Sequence, residues 1–180
     1  MKKIVIAVVA MLTLAAAAHA EGTMGGLGFH SSGAPVGLRQ WFTDQMGVDL
    51  GVGFSSDGFE VKAAGAPKFK NASTFVFELG LPFSAKKWER VNFIVRPGLR
   101  ILTIEDKDQV VSNTTKASAF GITGEFEAEV MLAEKVSVSA SHGVGYFQFT
   151  DRSAPTKTIS KTFTTTGENF TELGFHVYLW

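Results

Sequence analysis

Residues 73–83, Ser-Thr-Phe-Val-Phe-Glu-Leu-Gly-Leu-Pro-Phe, place an apolar side chain at every odd position from Phe75 onward. Successive side chains of a β-strand point to opposite faces, so this period of two predicts a strand with one continuous apolar face. The other face carries a carboxylate, Glu78, near its middle. The stretch therefore predicts a strand that lies between an apolar and a polar environment.

The same alternation recurs along the chain and predicts eight strands, at residues 22–30, 35–42, 47–54, 73–83, 91–103, 117–131, 136–149 and 169–180. Pro97 lies inside the fifth and cannot donate to a strand ladder, so we expect a bulge or bend there. The connections 31–34, 55–72, 105–116 and 150–168 are long and polar after the first, whereas 43–46, 84–90 and 133–135 are short. Outer-membrane barrels alternate short and long connections in this way.

The N-terminal residues have the pattern of a secretory signal. Lys2 and Lys3 precede an uncharged apolar stretch, and Ala18-His-Ala20 supplies small residues at a cleavage site. We expect a signal peptide at 1–20 and one domain at 21–180. Without Lys2 and Lys3, fifteen basic and seventeen acidic residues remain, a formal charge of −2, which gives no indication of nucleic-acid binding. The chain has no cysteine, so its fold must close without disulfides.

The charged residues within the predicted strands share one face. A base on the lipid face near the bilayer midplane costs about 2–4 kcal/mol, which favours placing that face inward. The interior of an eight-stranded barrel is just wide enough for side chains to fill it. We therefore predict an ion-pair network that plugs the lumen, formed by Arg39, Asp49, Glu78, Arg96, Arg100, Glu125, Glu127, Glu129 and Glu172.

The opposite face is predicted to contact lipid. Its members are Phe75, Phe77, Leu79, Leu81, Phe93, Val95, Phe120, Ile122, Phe126, Leu173, Phe175, Val177 and Leu179. Aromatic residues close to strand ends are predicted to form interfacial girdles, which are typical of membrane barrels. These are Trp41, Phe83, Trp88, Tyr146, Tyr178 and Trp180. The predicted fold is all-β, an eight-stranded antiparallel up-and-down transmembrane β-barrel.

A signal peptide, eight strands, alternating connection lengths and the aromatic C-terminal residues Tyr178 and Trp180 together resemble the small outer-membrane barrels, the OmpA transmembrane domain and OmpX-like proteins. The end departs from that pattern because the positions alternating back from Trp180 include His176 and Glu172. The resemblance implies insertion by the barrel assembly machinery into the outer membrane of a Gram-negative bacterium. It also implies a monomer among lipopolysaccharide and other lipids, with extracellular loops and both termini in the periplasm.

The function predicted on this basis is a structural or surface-interaction role. Three alternatives remain open: a narrow channel favouring cations, a lipid A-modifying enzyme, and a soluble lipocalin-like barrel with its phenylalanines inward. Ser139, Ser141 and His142 are the catalytic candidates, but adjacent residues of a strand point to opposite faces, so Ser141 and His142 cannot pair. No catalytic or cofactor site is predicted. No metal site is predicted either, because His30, His142 and His176 lie on three different strands with no close ligand spacing. The acidic residues 105–108 are expected in a solvated loop.

Overall fold

The protein is described from a computed structural model, covering residues 24–29, 31, 33–59, 70–108, 113–152, 157–165 and 171–179. The predicted signal peptide lies outside these residues. The strands are β1 (Met24–Phe29), β2 (Val36–Trp41), β3 (Gly47–Phe59), β4 (Lys70–Gly80), β5 (Phe83–Lys87), β6 (Val91–Asp108), β7 (Asn113–Ala133), β8 (Val136–Asp151), β9 (Thr158–Thr164) and β10 (Thr171–Tyr178). Among the described residues, no helix is long and apolar enough to cross a membrane.

The ten strands form eight antiparallel positions in one closed wall. β4 and β5 pair with successive parts of β6, so together they occupy the fourth strand position of the wall. β9 and β10 both pair with β8 and together form the eighth. β10 also pairs with β1, from Gly26↔Tyr178 to Phe29↔Phe175, which closes the sheet on itself. The predicted fold, an eight-stranded antiparallel β-barrel, is confirmed.

Of the bulge or bend expected at Pro97, the bulge is absent. Pro97 pairs with Gly124 of β7 without a shift in register. On its other side the Leu81 amide donates to the Pro97 carbonyl at 2.9 Å, while Pro82 has no amide to donate. The two prolines thus remove ladder hydrogen bonds at one level of the wall and separate β4 from β5 without displacing either. The register shifts lie elsewhere, between Ser84 and Lys86 and between Met131 and Ala133.

Several strands extend further than the sequence pattern predicted. β3 and β4 stay paired to Phe59↔Lys70, and β6 and β7 to Asp108↔Asn113. β9 forms inside the connection predicted at 150–168. These segments were predicted as loops because their apolar and polar side chains do not alternate. That prediction was wrong, since the hydrogen bonds of a strand ladder need only the backbone. Where both faces of a strand meet solvent, polar side chains suit either face and the period of two disappears.

The eighth wall position is interrupted between β9 and β10. The β9 ladder ends at Gly145↔Thr164, and the β10 ladder begins at His142↔Thr171. The register therefore shifts by four residues across the interruption. Because four is even, inward and outward positions are conserved from β9 to β10.

Candidate functional site

The interior of the barrel holds the charged residues, and Arg39 is at its centre. Arg39 is fully buried on β2, and its Nε and Nη2 donate to the two carboxylate oxygens of Asp49, the neighbouring residue on β3, at 2.8 Å each. Its Nη1 and Nη2 also donate to Glu127 of β7 at 2.7 and 2.8 Å. β2 and β7 are the second and sixth of eight wall positions, so this side chain bridges the lumen from one wall to the other.

A second guanidinium lies beside the first. Arg96 of β6 donates from Nη1 to Glu125 of β7 at 2.7 Å, and its Nε is 3.0 Å from Asp49. Its Nη2 is 3.8 Å from Glu78 of β4. Asp49 therefore lies between two guanidinium groups, Arg39 and Arg96, which links the pairs into one network.

The third guanidinium extends the network toward the end of the barrel that carries the longer connections. Arg100 of β6 forms ion pairs with Glu78 and, from Nη2 at 3.0 Å, with Glu172 of β10. The Ser31 hydroxyl, buried after β1, lies 3.2 Å from both carboxylate oxygens of Glu78. The amide of Ala34 donates to that hydroxyl at 2.9 Å. Ser31 of the β1–β2 connection therefore contacts the charged layer at the end with the longer connections.

Glu129 of β7 lies next to three groups that the sequence analysis did not place in the lumen network, Ser137, His176 and Tyr178. It accepts hydrogen bonds from the Tyr178 hydroxyl at 2.6 Å and from the Ser137 hydroxyl at 2.7 Å. His176 Nδ1 is 3.8 Å away, and Arg39 Nη1 is 3.6 Å away. All nine residues predicted for the lumen are buried and in contact with one another or with these added groups. Strand parity alone places Ser137, His176 and Tyr178 on the inner face, so the period of two was an available signal.

Two residues predicted for the interfacial girdle lie inside the barrel instead. Trp41 is 5% exposed and Tyr178 is 1% exposed, and they pack with Ile94 in an apolar cluster at the end with the short turns. Met24 and Met131 pack against the cluster. The girdle prediction for Trp41 and Tyr178 was wrong because it followed residue type, whereas both occupy inward positions of their strands. There Trp41 can pack and Tyr178 can donate to a carboxylate.

The outer wall carries the other predicted aromatic and apolar residues. Phe126 is 73% exposed and Leu173 is 71% exposed. Leu81, Phe93, Val95, Phe120, Ile122, Phe175 and Leu179 are also exposed, and Phe75, Phe77, Leu79 and Val177 are half-buried on the same face. The girdle candidates Phe83, Trp88 and Tyr146 are exposed too, and Trp180 lies outside the described residues. Trp88 packs edge-on against Phe93, with ring centroids 5.2 Å apart.

Comparisons with known proteins agree with this architecture. The structure resembles that of a major outer membrane protein from Thermus thermophilus, with a TM-score of 0.50 and 16% sequence identity. The match covers 87% of this chain and 99% of that chain. No protein-family model matches the sequence, and the search of curated proteins finds no match. At this identity the likeness is one of fold.

Glycines on the inner face make room for the large side chains. A Cβ on Gly80 would lie 2.4 Å from Arg96 Nε, and one on Gly121 would lie 2.2 Å from the Phe147 ring. Both distances are shorter than any normal contact between heavy atoms. At these two positions of the inner wall, the lumen has no room for an additional methyl group.

The candidate catalytic residues do not converge. Ser139 and Ser141 belong to the inner face of β8, whereas His142 is exposed on the outer face, opposite Thr171 of β10. The acidic stretch at 105–108 is the end of β6, not the loop that was expected. Within the described ranges, no three potential ligand side chains are grouped so that they could hold a metal ion.

A recess opens at the end of the barrel with the short turns. Its volume is about 250 Å³, and it lies between the β2–β3 and β5–β6 turns. Trp41, Met24, Met131 and Glu129 are among its lining residues, so it borders the apolar cluster and the edge of the ionic layer. The lumen therefore has three layers along its axis. The apolar cluster lies at the end with the short turns, the ion pairs lie in the middle, and Ser31, Ala34 and Val76 lie toward the end with the longer connections.

Proposed function

We propose that this protein is an integral outer-membrane barrel with a structural or surface-presenting role, whose lumen is closed to ions. The observation that supports this proposal is the distribution of side chains, which is the reverse of that in a water-soluble protein. Charged groups such as Arg39 and Asp49 are fully buried, while Phe126 is 73% exposed. In water this arrangement would expose a large apolar surface, whereas in a bilayer the same surface contacts lipid.

The outward apolar positions of β7 support insertion into a bilayer. Phe120, Ile122, Phe126 and Val130 lie on one face, and polar residues follow above Phe120. Ten residues of strand cover ~33 Å, or ~25 Å of height at a tilt of ~40°. This height matches the apolar band of ~25 Å in outer-membrane barrels. Beyond it the hairpins continue in polar sequence, which fits surfaces exposed to water.

The bridge from Arg39 to Glu127 supports a closed lumen. An ion path would have to pass both this bridge and the cluster of Trp41, Ile94 and Tyr178. The described network contains six carboxylates and three guanidinium groups, so any residual path would favour cations. That excess favours the narrow cation channel as the second candidate function. The soluble lipocalin-like alternative needs the phenylalanine-rich face inward, which is the reverse of the observed arrangement.

The remaining assignments belong to the same proposal. Residues 1–20 are removed as a signal peptide, and the barrel assembly machinery inserts the mature chain as a monomer. The termini and the short turns face the periplasm, and the longer hairpins face outward among lipopolysaccharide. The direction of β1, from the N-terminus toward the longer connections, is consistent with this orientation.

Two measurements separate these functions. Protein folded into vesicles should resist urea extraction and should migrate differently on gels before and after heating. Recovery of the mature protein in a soluble periplasmic fraction would refute membrane insertion. In planar bilayers, the closed barrel should give no current steps above the baseline. Regular discrete steps that favour cations would refute the closed lumen and support the channel.

A further inference from the structure

Four basic side chains lie together on the outer wall of the barrel, toward the end with the longer connections. They are Lys116 of β7, Arg152 after β8, Lys157 before β9 and Lys161 of β9, and all four are exposed. The Arg152 amide donates to the Lys116 carbonyl at 2.8 Å, so these two residues face one another across adjacent strands. We call these four residues the basic patch.

The sheet register places three of these cations in one row. Asp151 pairs with Thr158, so the next residues outward, Arg152 and Lys157, stand opposite one another. The row therefore crosses three adjacent strands and consists of Lys116, Arg152 and Lys157. Their backbones lie within about 10 Å of one another, since neighbouring strands are about 4.8 Å apart. Directly opposed like charges destabilise a sheet pair unless a counter-charge is present.

Little of that counter-charge comes from the described part of the chain. Of the four cations, Lys116 alone has an ion pair with a described carboxylate, a long one of 3.8 Å to Glu105. The chain without its signal has a formal charge of −2, so the patch is local and does not reflect a general basic excess. Among the described residues, the row therefore carries an excess of positive charge, with Glu105, opposite Lys116, as its one paired carboxylate.

The position of the patch indicates which anion. On the outward face of β9, Phe163 stands opposite Tyr146, Lys161 lies two residues further out, and the exposed Ile159 lies two residues beyond Lys161. Two residues of a tilted strand rise about 5 Å, which is the depth of a lipid headgroup layer next to the hydrocarbon. Lys157 lies four residues further out, and long basic side chains reach back toward the interface.

We propose that the basic patch binds the phosphate groups of an outer-leaflet phosphorylated glycolipid. The inference rests on the proposed outer-membrane function and orientation. A lipid fits better than a soluble anion because the cations continue the lipid-facing wall upward from Phe163 and Tyr146. Binding would place acyl chains on the apolar residues and phosphates on Lys161, Arg152 and the adjacent row.

The test measures binding of diphosphorylated lipid A to folded protein in detergent micelles, by native mass spectrometry. The variant is Lys116→Gln/Arg152→Gln/Lys157→Gln. Each cation near an anionic membrane surface contributes roughly fivefold in affinity, so the triple variant should bind roughly tenfold to a hundredfold more weakly. The matched control, Lys86→Gln/Lys87→Gln/Arg90→Gln, removes three cations near the short turns and should bind like the wild type.

The outcomes distinguish this inference from the function on which it rests. A wild-type protein that fails to insert into vesicles refutes the outer-membrane function itself. If all three proteins insert, equal binding of lipid A by the wild type and the patch variant refutes the lipid site alone. Equal binding of lipid A stripped of both phosphates refutes phosphate recognition. Displacement of lipid A by low concentrations of inorganic phosphate would show an anion site without lipid specificity and would also overturn the proposal.

Discussion

Replacing Arg39 with methionine tests the ionic network at its centre. The side chain makes four hydrogen bonds of 2.7–2.8 Å, two to Asp49 and two to Glu127, with no exposure to solvent. Asp49 would retain Arg96, whose Nε is 3.0 Å away, but Glu127 would lose the two hydrogen bonds described for it. Removing one member of a buried ion pair costs about 3–5 kcal/mol because the remaining charge is left uncompensated. We expect Arg39→Met to lower the free energy of unfolding by about that amount.

The assay is equilibrium urea unfolding of protein folded in lipid vesicles, read from tryptophan fluorescence and heat-dependent gel migration. Arg90→Met makes the same chemical change in an exposed turn and should alter stability by about 0.5 kcal/mol or less. If the stranded Glu127 carboxylate causes the loss, Arg39→Met/Glu127→Met should be no less stable than Arg39→Met. A loss below about 1 kcal/mol for Arg39→Met, or strictly additive losses in the double variant, would refute the reasoning.

Further substitutions test the two faces of the wall. Phe126→Arg places a base in the middle of the outer apolar wall and should make insertion into the bilayer less favourable by about 2–4 kcal/mol. Thr150→Arg places a base beyond that wall and should make insertion less favourable by about 0–1 kcal/mol. Folding yield in vesicles measures both, and equal yields would mean that the faces are wrongly assigned. Gly121→Ala inserts a methyl group against the Phe147 ring and should cost about 1–3 kcal/mol in urea unfolding. Gly124→Ala, with 4.0 Å to its nearest neighbour, is the control, and equal stability of the two variants would argue against a filled lumen.

The period of two was sufficient to predict most of the fold. The side chains of Arg39, Glu78 and Glu127 lie on the face that alternation assigns to them, and their strands occupy the predicted wall positions. A shift of one residue in any of these strands would exchange buried charge for apolar surface, so the energetic penalty fixes the register. Strand parity therefore predicted the faces without knowledge of any contact.

The pairing of charges across the lumen could not be read from the sequence. Arg39 and Glu127 are separated by 88 positions, and their contact depends on the number of strands and on barrel diameter. Ser31 belongs to a connection, where no periodicity constrains the direction of a side chain, so its hydrogen bonds with Glu78 had no sequence signal. Trp41 and Tyr178 carried a correct parity signal, but their residue type suggested an interface. For these two residues, residue type was a weaker guide than strand parity, because an aromatic ring can be buried at the end of the lumen as readily as at the membrane surface.

The central claim is that the outer face of this barrel meets lipid while its inner face is filled. The chain has no cysteine, so single cysteines on β7 can carry an environment-sensitive fluorophore without background labelling. In reconstituted vesicles, labels at Ile122 and Phe126 should be quenched by spin-labelled acyl chains, and a label at Ser118 should respond mainly to a water-soluble quencher. A cysteine at Thr123, which is 8% exposed on the inner face, should react poorly with the label. Equal access of the water-soluble quencher to the labels at Ile122, Phe126 and Ser118, together with full labelling of the cysteine at Thr123, would contradict the account.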